Sequence, residues 1–359
     1  MNHDPLSDVL RSVRLRGAIF YYVGCRDEWV ADTPAASAIA SAVMPGAEHL
    51  MEYHMVAKGS GWATIAGLPP VHLTSGDIVM FPHGDAHVLS SAPGMIPPPG
   101  DADWVFSTRN DPKPIPLAFH HGVFQPGLSM PPDEAQTVLV CGFVGCDLRP
   151  FNPLIEALPR LLHLPAGGSG DWVAPILHLA ANESNLRRPG SAAVLERVSE
   201  MVFVDAARRY LESLPDDASG WLAALRDRYV GRAIQLMHER PADPWTIDEL
   251  GRQVGLSRSA LHERFVELAG QPPMQYLTNW RMQCGARLLR EGRETVATIA
   301  LEVGYDSEAA FARAFKRLVG QPPAAWRRGV AGGHVGCVEQ RRSARLDRRS
   351  ASQVDVAAS

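Results

Sequence analysis

A chain of 359 residues exceeds the size at which a single hydrophobic core usually stops growing, so two domains are expected. With 46% hydrophobic and 21% charged residues of both signs and a net charge of −4, the composition excludes a disordered or fibrous chain. No apolar run reaches the roughly 20 residues of a membrane-spanning helix and the opening MNHDPLSDVLRS lacks the apolar stretch of an export signal, so a cytoplasmic protein without a membrane partner is expected.

Five cysteines at scattered spacings are an odd count and argue against a disulfide framework. Lys and Arg number 16 against 25 Asp and Glu in residues 1–229, but 14 against 11 in residues 230–330. An acidic front half followed by a mildly basic back half is the asymmetry of a chain whose back half meets a polyanion.

Residues 15–91 read as short β-type runs (AIFYYV, MEYHMVA, GWATIAG, PVHLT, DIVMFP, HVLSS) broken by Gly, Pro and Asp, the rhythm of a small barrel or sandwich. Residues 92–136 are dense in Pro and Gly without a sustained period and are expected to form a long surface insertion, after which TVLVCGFV returns to the barrel. From residue 153 the pattern is helical: NPLIEALPRLL, DWVAPILHLAANESN, SAAVLERVSEMVFVDAARRYLESL and SGWLAALRDRYVGRAIQLMHER. In the third of these Leu195, Val198, Val202, Ala206 and Tyr210 recur at helical spacing, and Met201, Val204 and Leu211 widen the stripe. A stripe that wide can pack on two sides, so burial against a second subunit competes with an ordinary intrachain core, and the homodimer is the favoured of the two readings.

Residues 254–273 (VGLSRSALHERFVELAGQPP) and 303–323 (VGYDSEAAFARAFKRLVGQPP) are two copies of one unit, aligned from Ser257 onward at an offset of fifty. Each follows a short amphipathic stretch, TIDELGRQV or TVATIALEV, that ends at a Gly suited to the turn between two helices. With Ser257 and Asp306 as N-caps, Ser257–Leu268 and Asp306–Leu318 are predicted as the second helices of two helix-turn-helix units. Leu261, Phe265 and Leu268, and their counterparts Phe311, Phe315 and Leu318, fall at i, i+4, i+7 and are expected to face the core.

The opposite faces carry Arg258, Ser259, His262 and Glu263 in the first copy and Glu308, Ala309, Ala312 and Arg313 in the second. These are the types that read base edges: Arg donates bidentately to guanine, Glu accepts from cytosine, His donates or accepts, and an alanine methyl meets a thymine methyl. Ser257, Lys316 and Arg317 are placed to contact phosphate and set register. The intervening MQYLTNWRMQCGARLLREG predicts one helix of about 25 Å, long enough to hold two reading heads near successive major grooves of double-stranded DNA.

These motifs identify residues 231–328 as resembling the DNA-binding domain of the AraC/XylS family of bacterial transcription regulators. Residues 76–87 match the cupin pattern G-x5-P-x-G-x2-H through Gly76, Pro82, Gly84 and His87, with Ser91 where an Asn is usual. The companion motif is incomplete: Glu52 fits, but Glu48 and His49 stand near its missing paired histidines. Strand alternation puts His54 on the face of Glu52, and His87 could approach both. Zinc, iron or manganese would suit such a set, but hydrogen bonding inside a ligand pocket is the expected role, with no metal and no cofactor. His83 is expected to face solvent.

The resemblance implies an α+β multidomain fold: a cupin-like β-barrel sensor over residues 1–165 containing the Pro-rich insertion 92–136, and a helical linker and dimerisation segment over 166–230. An all-α double helix-turn-helix domain over 231–330 and a disordered tail over 331–359 complete it. It further implies a small-molecule effector, RNA polymerase as a partner, and transcriptional activation. Redox sensing through Cys25, Cys141 or Cys146 is the alternative signal. No enzymatic activity is expected; the competing reading, a metal-dependent cupin dioxygenase or isomerase fused to a DNA-binding domain, would need a full metal set and an acid-base residue.

Overall fold

A computed structural model describes residues 4–98, 103–108, 111, 114–120, 123–131, 133–167, 175, 189–292 and 294–329. The segment DWVAPILHLAANESN, apart from Pro175, and the tail 331–359 lie outside them. The chain divides into two compact units, one of Leu6–Leu148 and Asn152–Arg226, the other of Met1–Pro5, Arg149–Phe151 and Asp227–Ser359.

The first unit begins with α1 (Pro5–Ser12), β1 (Arg16–Cys25), β2 (Val30–Thr33), α2 (Ala36–Val43), β3 (His49–Lys58), β4 (Ser60–Ile65), β5 (Val71–Thr74), β6 (Ile78–Phe81) and β7 (His87–Ser90). It continues through α3 (Asp103–Ser107), β8 (Ile115–His120), β9 (Val123–Pro126), β10 (Thr137–Cys146), α4 (Pro153–Ala157), β11 (Leu162–Leu164), α5 (Ser191–Ser213) and α6 (Trp221–Arg226). Its strands form a seven-stranded sheet in the order β11-β6-β3-β10-β1-β8-β9 and a four-stranded sheet in the order β2-β7-β4-β5. The expected cupin-like architecture is therefore present as two sheets around a common jelly-roll-like core; among the described residues no ladder closes them into one ring.

Alternation decides what each strand offers to that core. On β3, Leu50, Glu52, His54 and Val56 share one face while Met51, Tyr53 and Met55 share the other. Leu50 and Val56 belong to the main cluster with Leu139, Cys141 and Phe143 of β10. The opposite face is covered by α5: Ser199 donates to Leu195 O at 3.0 Å, so its oxygen is free to accept from the Tyr53 hydroxyl at 2.7 Å. Cover on both faces explains why TVLVCGFVGC is buried throughout and reads as an unbroken apolar run.

Three expectations need correction. Residues 92–136 are not simply a surface excursion, because β8 runs parallel to β1 and buries Ile115, Leu117 and Phe119. The stretch NPLIEALPRLL is helical only to Ala157; Leu158, extended ahead of Pro159, ends it, and β11 follows. The stretch from Ser219 to Arg240 is two helices, α6 and then α7 (Val230–Glu239), because Asp227 Oδ1 accepts from Tyr229 N and Val230 N at 3.0 and 2.8 Å and starts a new helix.

The second unit continues from α7 through α8 (Ile247–Val254), α9 (Arg258–Ala269), α10 (Pro273–Glu291), α11 (Val296–Glu302) and α12 (Glu308–Val319). Two apolar centres anchor it. In one, His238 stacks on Trp280 at 3.8 Å and hydrogen-bonds the Tyr276 hydroxyl at 2.9 Å, with Phe265 edge-on to Tyr276. In the other, Phe311 and Phe315 pack with Met282, Ile299 and Trp326.

Candidate nucleic-acid interface and sensor cavity

The helices predicted to read DNA are α9 and α12, and their ends are set by local chemistry. Thr246 Oγ1 accepts from Glu249 N to start α8, and Ser257 Oγ accepts from Ala260 N at 3.2 Å to start α9. Between them Gly255 takes φ 82°, the left-handed conformation that lets the chain turn sharply without a Cβ penalty. The second copy repeats the plan: Thr295 caps α11, Gly304 turns at φ 83°, and Ser307 Oγ accepts from Ala310 N at 3.3 Å. The cap of α12 is therefore Ser307 and not Asp306. The fifty-residue offset pairs Ser257 with Ser307, and an exposed hydroxyl one residue before the helix reaches the N3 amide that Asp306, one residue earlier, does not meet.

Leu261, Phe265, Phe311 and Phe315 are fully buried as expected. Leu318 is 36% exposed, whereas Val319 is 5% exposed and takes the third core position of α12. Trp326 approaches Phe315 edge-on at 6.0 Å, drawing the buried face toward the Val319 side of the helix. Gly285 of α10 completes the contact, since a Cβ there would lie 2.9 Å from the Phe311 ring.

On the outward faces Ser257, Arg258, Ser259, His262, Glu263, Glu308, Ala309, Arg313, Lys316 and Arg317 are exposed, and Ala312 is half-buried. Arg258 is held at 3.2 Å from Asp248 of the preceding helix by a pair open to water. Arg264, not singled out in the sequence, anchors α9 to the start of α7 by donating to Asp227 Oδ2 at 2.9 and 2.5 Å. Burial alone would raise the Asp227 carboxyl, but the Arg264 guanidinium and the amides of Val230 and Tyr229 outweigh it and hold the carboxyl below its usual range.

The sensor unit holds a small cavity of about 40 Å³ whose walls include Tyr21, Trp29, Leu139, Cys141, Glu52 and His54. Gly84, at φ 68°, turns the chain ahead of His87 where a Cβ would strike Leu50 O at 2.7 Å. The turn delivers His87 against Phe81, their rings stacked at 3.6 Å, and His87 Nδ1 lies 2.9 Å from Asp85 O. His87 Nε2 then meets His54 Nε2 at 2.8 Å and Glu52 Oε2 at 3.5 Å.

All three side chains are buried, and neither Glu52 oxygen nor His54 Nδ1 makes a hydrogen bond. Burial pushes the Glu52 carboxyl well above its usual range. Burial, with the neighbouring His87, holds His54 well below the imidazole range, and burial takes His87 down to about 4. The three predicted pocket residues are thus brought together, each favouring its neutral form. Glu48 and His49 are elsewhere, Glu48 accepting from Leu148 N at 3.1 Å and His49 bonding Pro82 O at 2.6 Å. His83 is exposed, with Nε2 2.9 Å from Leu158 O.

Cys25, Cys141 and Cys146 are all buried, which raises each thiol above its ordinary value, Cys146 to about 12. A thiol in that state has little thiolate character.

A tandem of capped helix-turn-helix units joined in one chain to a two-sheet jelly-roll domain defines a two-domain DNA-binding protein. The family profile described as "Cupin" matches residues 4–212, and that described as "Helix-turn-helix domain" matches residues 250–329. An AraC-like transcription regulator of Streptomyces lividans is 30% identical over 90% of this chain and 98% of its own length. The HTH-type transcriptional regulator AlkR of Acinetobacter baylyi is 27% identical over 90% and 99%, and the HTH-type transcriptional regulator MtrA of Neisseria gonorrhoeae 31% identical over 77% and 85%. The chain belongs to the AraC family of transcription regulators, in the group whose N-terminal part is a cupin domain.

Proposed function

We propose that this regulator is a cytoplasmic homodimer that reads operator DNA with α9 and α12 and is switched by a ligand in its cupin domain. In this reading Arg258, Ser259, His262, Glu263, Glu308, Ala309, Ala312 and Arg313 face base edges. Ser257, Lys316 and Arg317 hold phosphates. The observation that carries it is the repetition: two helices, each with a Thr-capped partner, a Gly turn and a Ser cap, present exposed faces while burying the equivalent apolar positions, Leu261 and Phe265 in one and Phe311 and Phe315 in the other. Helix α10, at 19 residues, spans about 28 Å between the two.

The dimer reading rests on α5, which buries Val198, Val202 and Ala206 yet leaves Met201 56% and Val194 39% exposed. Buried thiols favour a bound ligand over thiol oxidation as the signal, and recruitment of RNA polymerase is the expected route to activation. No helix among the described residues is long and apolar enough to cross a membrane. The family relatives are regulators, and the regulatory role is preferred to an enzymatic one.

Incubating the full chain with sheared genomic DNA of its source, recovering bound fragments and footprinting them tests the reading. A short recurring sequence protected at two positions about one helical turn apart per chain is expected. Recovery of fragments with no common sequence would overturn it.

A further inference from the structure

We propose that Glu52, His54 and His87 together bind one divalent transition-metal ion, of the zinc, iron(II) or manganese class, at the floor of the cupin cavity. One carboxylate and two imidazoles are a donor set that suits these ions. Their nearest ligand atoms all lie within 4.8 Å of one another, and all three residues are buried. Metal–ligand bonds of about 2.0–2.1 Å in tetrahedral arrangement place neighbouring donors about 3.3 Å apart. The observed separations, 2.8 Å between the two Nε2 atoms and 3.5 Å from His87 Nε2 to Glu52 Oε2, bracket that edge.

The protonation pattern points the same way. The carbonyl of Asp85 accepts from His87 Nδ1, which places the proton there and turns the Nε2 lone pair toward Glu52 and His54. Phe81 stacked on the ring holds it in that orientation. Without an ion, the two imidazoles can satisfy each other only if His54 Nε2–H donates to His87 Nε2. That arrangement leaves both Glu52 oxygens buried with no partner. An ion engages all three groups at once.

Glu52 and His54 line a cavity of about 40 Å³, room enough for water beside them. Three protein ligands leave at least one coordination position, and the side on which Glu52 and His54 line the cavity is where a water or a small donor ligand would complete it.

The experiment uses the full chain stripped with chelator and dialysed against Zn²⁺, with metal content measured after gel filtration. A parallel Co²⁺ titration is followed by visible absorption, which reports nitrogen and oxygen ligation directly. One ion per chain is expected. Glu52→Gln and His87→Ala should each weaken binding by at least tenfold and remove the Co²⁺ bands. His72→Ala, which alters an exposed imidazole tilted against Trp62, should bind like the parent. Glu52→Gln preserves shape, and circular dichroism and thermal melting check that it folds; Zn²⁺ should raise the Tm of the parent but not of this variant. Absence of a retained ion, or unchanged binding in both Glu52→Gln and His87→Ala, would overturn the proposal. DNA binding is not a readout, so either result leaves the assignment of the reading helices untouched.

Discussion

Replacing Phe311 by Ala should open the second helix-turn-helix unit while leaving the first closed. Phe311 is fully buried, packs at 5.5 Å on Phe315 and at 5.8 Å on Tyr305, and covers Gly285. Truncating a buried Phe costs about 3–5 kcal/mol, the loss of its ring contacts included. Gly285 has no side chain to move into the space, so the site collapses poorly and the cost should lie near 5 kcal/mol. At about 1.4 kcal/mol per factor of ten, opening of α11 and α12 should become three to four orders of magnitude more frequent. Hydrogen exchange of the full chain, resolved by peptide, reads this directly: amides of residues 296–319 should exchange faster, those of α8 and α9 far less so. Equal loss of protection in both units, or none in either, would show that the two apolar centres are not separate supports.

Other outcomes follow from the same contacts. Ser307→Ala should cost about 1 kcal/mol of stability in α12 by urea unfolding, while Asp306→Ala should stay within a few tenths, because only Ser307 Oγ meets the Ala310 amide. A Ser307 variant as stable as the parent would return the cap to Asp306. Asp227→Ala should cost about 2–3 kcal/mol by freeing two amides and the Arg264 guanidinium. Since the folded carboxyl lies below its unfolded value of about 3.9, its contribution is present above that pH and fades as pH falls through the lowered value; Asp227→Asn should lose this acid-side decline in urea titrations. Cys25, Cys141 and Cys146 should resist thiol reagents in the native protein, as read by mass spectrometry, and rapid labelling of any of them would reopen redox sensing.

The reading helices were legible because their determinants are local. The Ser257 cap, a Gly turn and large apolar residues four apart sit close together in sequence, and the repetition of the turn and the apolar spacing fifty residues on removed chance as an explanation. Where neighbours from other helices decided the outcome, the pattern misled: Leu318 and Val319 differ only in which side Trp326 occupies, and the break between α6 and α7 depends on Asp227 acting as a cap inside an apparently continuous helix. Residues 92–136 hid β8 because neighbouring Pro and Gly obscure the alternation, and of its two partners only β9 is near in sequence while β1 lies over ninety residues away. Of the pocket, the shared face of Glu52 and His54 follows from strand period two, and the turn motif marks His87. Their convergence within hydrogen-bonding distance, and the lack of any partner for Glu52, depend on how two sheets face each other and have no local signature.

The central claim is that α9 and α12 read base edges, and the most direct measurement compares affinities for operator and random duplexes at one salt concentration. Arg313→Ala and His262→Ala should each lose about 1–3 kcal/mol on the operator and far less on random DNA, because a base contact carries sequence information and a phosphate contact does not. Equal losses on both duplexes, or none on the operator, would contradict the account.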